Sequence, residues 1–212
     1  MRIEEREIFT FEELSIEAQE KAIEDTRDGS SYLDYDWFDS TKEDFEDFLE
    51  TIGFNGVNSY FSGFWSQGDG ACFDFTSIEL DKFFTDSTCF EPYTTLHNDF
   101  KKSNEKIIKK LLRFKDAVTF RSCENGYSTH HCHSKTRYID FDIDGCGGKS
   151  HLINVEKATA AFLDGLRGLY ESLSDEYYSC LNNQYDYLNS EEAIKDFIIG
   201  GDFEFLKNGE KI

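Results

Sequence analysis

Val155, Ala158, Phe162, Leu166, Leu169, Leu173 and Tyr177 recur at intervals of three and four residues. That period sets seven apolar side chains along one side of a long helix starting near Asn154, and the rest of the chain must cover them. Four more helices follow from local signals of the same kind. Ser15 is a good N-cap for a helix through about Arg27, and SEEAIKDFII begins another at Ser190. After DWFD, the spacing of Phe38, Phe45, Phe48, Leu49 and Ile52 predicts a helix that Gly53 would end. Pro92, the only proline, introduces a helix over about 94–113 with Ile107, Ile108, Leu111 and Leu112 as its apolar stripe.

Between the helices lie segments of a different character. VNSYFSGF and ACFDFTSI are rich in aromatic and β-favouring residues, and they read as antiparallel strands around the loop of FSGFWSQGDGACF. AVTFRSC and KTRYIDFDI form a second pair, joined through ENGYSTHHCH, where Asn125-Gly126 signals a tight turn. GCGGKS is a glycine-rich break, and FEFLKNGEKI could supply a last short strand. The expected fold is α+β: one domain over residues 1–212, with an antiparallel sheet of at least four strands covered by several amphipathic helices.

Charge narrows the range of partners. The chain carries 22 Lys+Arg against 43 Asp+Glu, a net of −21, which argues against direct binding to a nucleic-acid backbone. The acid is concentrated: residues 1–50 hold 18 Asp+Glu and 5 Lys+Arg, net −13, whereas residues 101–115 hold 7 Lys+Arg and one Glu, net +6. Asp36, Asp39, Asp44, Asp47 and Glu50 are the candidate contacts for a basic protein partner. Carboxylates three and four residues apart on a helix stand roughly 6 Å from one another, close to the phosphate spacing of one strand, so this face could mimic nucleic acid. The plainer alternative is a solvated helix face that confers solubility.

MRIEEREIF lacks a positive region followed by an apolar run, so no signal peptide is expected, and no run approaches a membrane span. The six cysteines are therefore expected as thiols in a reducing cytoplasm. Cys123, His130, His131, Cys132 and His133 cluster, but without the paired knuckles of a structural zinc site, and no metal or cofactor is expected.

FSGFWSQGDGACF holds more chemistry than a turn requires. Trp65 offers a stacking face, Ser66 and Gln67 offer donors and acceptors, and Asp69 could accept from a base edge or sugar hydroxyl. With Arg121, Tyr127, His131, His133 and Arg137 from the neighbouring hairpin, these residues could build a pocket for a nucleotide-sized anion. Equally, the glycines could serve positive φ angles while Asp69 caps its own loop and Trp65 covers the sheet. Neither GFWSQGDGA nor GCGGKS has the spacing of a phosphate-binding GxxxxGK[ST] loop. Ser62, Ser66 and Cys72 lack the surroundings of an activated nucleophile, so no catalytic residue and no enzyme is expected.

YFSGFWSQGDGACF, together with LSIEAQEKAIED, GYSTHH and YDYLNSEEAIKDFIIGGDFEFLKNG, resembles a family of small bacteriophage-encoded proteins often labelled "antitoxin of toxin-antitoxin stability system". The resemblance implies a phage origin, a bacterial cytoplasm and an accessory or counter-defence role. The expected function is neutralisation of a host toxin or defence component by binding. The alternative is a non-enzymatic sponge that sequesters a nucleotide or nucleotide-derived signal in the 61–73 and 121–137 pocket.

Overall fold

The structure is a computed structural model, and it describes residues 6–29, 32–33, 36–85, 90–124, 132–144 and 149–212. The expected Asn125-Gly126 turn and most of the GCGGKS break lie outside the described residues. Contacts group the chain into two compact units, Met1–Asp39 with Asn182–Ile212, and Ser40–Leu181.

In the first unit, helix α1 (Ile16–Asp28) begins where Ser15 accepts a hydrogen bond from the Ala18 N–H. The Ala193 N–H donates to the Ser190 hydroxyl at 3.2 Å, the first turn of the C-terminal helix Glu191–Gly200. Both are N-caps, and each satisfies a donor that a helix start leaves without a partner. Phe11, Leu14, Ala18, Ala22 and Ile23 bury themselves with Ile194, Ile198 and Phe205. The expected last strand is reduced to single bridges of Phe205 with Phe9 and with Lys211.

The second unit carries most of the secondary structure. Helix α2 (Asp39–Thr51) buries Phe45, Phe48 and Leu49, and the chain turns at Gly53 with φ +94°, which only glycine adopts readily. Among the described residues six strands follow: β1 (Phe54–Asn55), β2 (Asn58–Ser62), β3 (Gly70–Asp74), β4 (Ser77–Ile78), β5 (Val118–Glu124) and β6 (Arg137–Ile143). Between β4 and β5 run α3 (Leu80–Phe83) and α4 (Tyr93–Leu111). α5 (Lys149–Leu188) begins five residues before the expected start and takes in Lys149 and Ser150. α6 is the helix Glu191–Gly200. Among the described residues, no helix is long and apolar enough to cross a membrane.

The single sheet of at least four strands is corrected. The strands form three antiparallel pairs, β1 with β4, β2 with β3, and β5 with β6. β1–β4 and β2–β3 share one register, from Phe54 opposite Ile78 to Ser62 opposite Gly70, so they are one hairpin interrupted at Gly56 and Thr76. Side chains explain why this hairpin does not continue into a wider sheet. On the β2 side, the Ser59 N–H donates to the Glu46 carboxylate at 2.7 Å. On the β3 side, the Phe73 N–H donates to the Tyr170 hydroxyl, which in turn donates to the Phe73 carbonyl at 2.8 Å. Just beyond, the Phe75 N–H donates to the Ser122 hydroxyl at 2.7 Å. Backbone groups of Ser59 and Phe73 that further strands would need are thus already satisfied, whereas β5 does reach the Phe75 edge, where the Ser122 N–H donates to the Phe75 carbonyl at 3.1 Å without a ladder forming.

An aromatic core holds these elements together. Phe45 stacks on Tyr177 at 4.3 Å, and Phe73 lies 4.4 Å from Tyr170. Phe162 meets Phe83, Phe84, Phe100 and Phe120 edge-on. All seven residues of the helical stripe from Val155 to Tyr177 are buried, as their spacing predicts.

Candidate functional site

β2 and β3 hold the loop 63–69 between them, and its backbone is fixed from several sides. The Asp69 carboxylate accepts from the Trp65 N–H at 3.0 Å and the Ser66 N–H at 2.6 Å. Gly68 has φ +98°, and the Asp69 N–H donates to the Ser66 carbonyl. From α5, the Tyr178 hydroxyl donates to the Gly63 carbonyl at 2.8 Å, while its ring lies 5.3 Å from Phe64. Asp69 thus turns one carboxylate oxygen, Oδ2, onto its own loop. Trp65 is 75% exposed, and Ser66 and Gln67 are exposed beside it. A large ring on a braced backbone is poised for contact at little entropic cost.

The segment before β6 does come to this loop. The Cys132 N–H donates to the Ser62 hydroxyl at 3.2 Å, and a Cβ added to Gly70 would stand 2.7 Å from the His133 Cβ. Gly70 is needed there because nothing larger fits. His133 accepts from the Lys135 N–H through Nδ1. Tyr127 and His131 lie outside the described residues.

The hairpin cations are matched by carboxylates. Arg137, with its side chain only 10% exposed, bonds Asp74 at 2.7 Å, reaches Glu124 at 3.4 Å and covers the Tyr60 ring. Burial opposes its charge, but the Asp74 carboxylate more than offsets this and holds the guanidinium above its ordinary pKa. Arg121 pairs with Asp142 at 2.7 Å and approaches Asp140 at 3.8 Å, across the β5–β6 ladder, and Asp142 raises its pKa. Arg137 therefore reaches the β2–β3 hairpin, and Arg121 is held on its own. Among the described residues, no three His, Cys, Asp or Glu side chains gather as a metal site would require.

On α2, Asp39, Glu43, Asp44, Asp47 and Glu50 are all exposed, opposite buried Phe45, Phe48 and Leu49. Asp36, also exposed, gives its carbonyl to the Asp39 N–H. Among the described residues, the ion pair on α2 is Lys42 with Glu46 at 3.9 Å. Asp44 also lines a cavity of about 390 Å³ with Thr41, Phe90, Glu91, Tyr93 and Cys180. Two carboxylates beside two aromatic rings suit a cationic side chain.

Sequence reasoning passed over Glu46, Tyr170 and Tyr178 as supporting residues. Glu46 had one usable signal, since Phe45 before it and Leu49 three residues on place it at the margin of the buried stripe. The two tyrosines carried none, because each acts on a backbone about a hundred residues away.

A family model matches residues 37–191, under the description domain of unknown function (DUF8835), a span that takes in α2, all three strand pairs and α5. No curated protein and no solved structure matches the chain.

Proposed function

The chain belongs to the DUF8835 family, and we propose that it neutralises a basic host protein, a toxin or defence enzyme, by binding it. The observation that carries this is the row of exposed carboxylates on α2, Asp39, Glu43, Asp44, Asp47 and Glu50, on a helix whose other side is locked by Phe45, Phe48 and Leu49. A fixed row of like charges attracts a cationic surface over a distance and sets its orientation. The Asp44 cavity gives such a partner a place to seat a Lys or Arg side chain. Asp36 continues the acidic sequence ahead of α2. No catalytic step is invoked, and the role is antitoxin-like or counter-defence in the bacterial cytoplasm.

The test is a pull-down from host lysate with the intact protein and with Asp44, Asp47 and Glu50 each changed to Lys. A basic protein retained by the first and lost by the second supports the reading. Equal retention by both overturns it.

A second reading is a nucleotide sponge, favoured by one observation, the exposure of Trp65 on a braced loop beside Cys132 and His133. Ser66 and Gln67 would then read the base edge. The pairing of Arg121 and Arg137 with carboxylates weakens the anion half of that pocket. Charge reversal on α2 would leave such a sponge intact, and Trp65→Ala would disable it.

A further inference from the structure

The first unit carries a cavity of about 310 Å³ where the segment ahead of α1 meets the end of α6. It draws on neither the α2 carboxylates nor the 63–69 loop. Its size is at the lower end of small-molecule sites, roughly 300–1,000 Å³. Phe11 and Ile198, both buried, form an apolar floor, and Phe203 stands beside them. The Phe203 ring is fixed in place: Phe197 meets it edge-on at 5.3 Å, and a Cβ added to Gly201 would lie 2.6 Å from it.

Glu12, Asp202 and Glu204 also line the cavity, and each is exposed. Among the described residues no ion pair or side-chain hydrogen bond engages any of the three. Local structure explains why they are left over. Glu13 turns its own carboxylate onto the Thr10 N–H and hydroxyl, which leaves Glu12 to the cavity. Asp202 follows α6 in the left-handed region, φ +49°, where its N–H donates to the Ile199 carbonyl and the Phe203 N–H donates to the Ile198 carbonyl. That closure fixes where its side chain departs. Lys211 holds its ammonium 3.2 Å over the Phe203 ring and offsets at most one of the three charges. At least two negative charges therefore stand uncompensated beside an apolar floor, in a chain whose net −21 draws cations in from a distance.

We propose that this cavity binds a small amphipathic cation, a primary amine or guanidinium carried on a short apolar body. The body, an aryl ring or a short alkyl stem, lies on Phe11, Ile198 and Phe203, and the cationic head is held among Glu12, Asp202 and Glu204. Neither part suffices alone: the carboxylates select the sign of the head, and the floor supplies the affinity.

The test titrates three probes that share one body, 4-phenylbutylamine, 4-phenylbutanol and 4-phenylbutyrate, into the full chain and reads binding by calorimetry. Saturable one-to-one binding of the amine is expected, with the alcohol at least about fivefold weaker and the carboxylate not bound. Asp202→Asn with Glu204→Gln keeps side-chain size, and Asn tolerates the left-handed backbone at 202. This variant should weaken the amine roughly tenfold and leave the alcohol unchanged. Ile199→Ser, at a lining residue that is 46% exposed, should weaken amine and alcohol alike. Glu171→Gln with Asp175→Asn removes the same charge from exposed positions of α5 in the other unit and should leave the amine within about twofold. Absence of saturable amine binding, equal affinity for amine and alcohol, or an equal loss in both double variants overturns the proposal. Loss on Asp44→Asn instead would put the amine in the α2 cavity and overturns it too.

Discussion

The Tyr170 hydroxyl holds both polar groups of Phe73, accepting from its N–H at 3.2 Å and donating to its carbonyl at 2.8 Å. One side chain of α5 thus does for β3 what a neighbouring strand would do. Replacing it with Phe keeps the ring but strands a buried donor and a buried acceptor. We expect Tyr170→Phe to cost about 1–3 kcal/mol. Urea denaturation should show a lower midpoint at unchanged slope, and an unaltered midpoint would show that the two bonds contribute nothing net.

Trp65 and Asp69 separate contact from support. Trp65 is 75% exposed, so Trp65→Ala should change stability by no more than about 1 kcal/mol, well below the roughly 3–5 kcal/mol of a buried aromatic. Partner or ligand binding should nevertheless fall sharply. Asp69→Ala releases the Trp65 and Ser66 N–H groups to water and should weaken binding less, by loosening the loop. Paired denaturation and affinity measurements check both, and a large stability loss in Trp65→Ala would make the ring structural.

Charge reversal should act mainly on the approach of a partner. With Asp44, Asp47 and Glu50 changed to Lys, the association rate should drop by at least tenfold at low salt, and the salt dependence of association should flatten. Stopped-flow mixing with the captured partner measures this. Association and dissociation both left unchanged would place the contact elsewhere.

Cys72 gives a pH signature. Burial pushes its thiol from the ordinary 9.0 up to about 11, against the opposing Thr136 hydrogen bond. The unfolded chain therefore loses this proton first, and the thiol's contribution is complete below about pH 9 and is lost as pH rises through about 11. Stability should decline across that window, and Cys72→Ala should flatten the decline. Equilibrium unfolding at stepped pH tests it.

The long helix could be read in advance because the Val155 to Tyr177 spacing is its buried stripe, whereas in α4 only Ile108 and Leu111 of the four expected residues are buried, the rest of its stripe being Tyr93, His97 and Phe100, and the helix stops at Leu111. The separation of the strands could not. It depends on Glu46, Ser122 and Tyr170, whose polar atoms reach backbone groups far along the chain, and no local pattern marks them. The charges of the 121–137 hairpin misled for the same reason. Arg137 looks like a surface cation in sequence, but its carboxylate, Asp74, lies 63 residues earlier. In the 63–69 loop, residue types alone leave Asp69 equally suited to a ligand or to its own backbone, and the short reach from Asp69 to Trp65 and Ser66 favours the second.

A chain with 21 phenylalanines whose described strands form only two-stranded ladders faces a hazard in a crowded cell, where any open ribbon can template the addition of foreign chains. The Glu46 carboxylate at Ser59 closes one margin of the central ribbon with a charge, and the Tyr170 and Ser122 hydroxyls close the other. Losing Glu46 should therefore be felt less in folding than in shelf life, as slow conversion of a natively folded protein into fibrils.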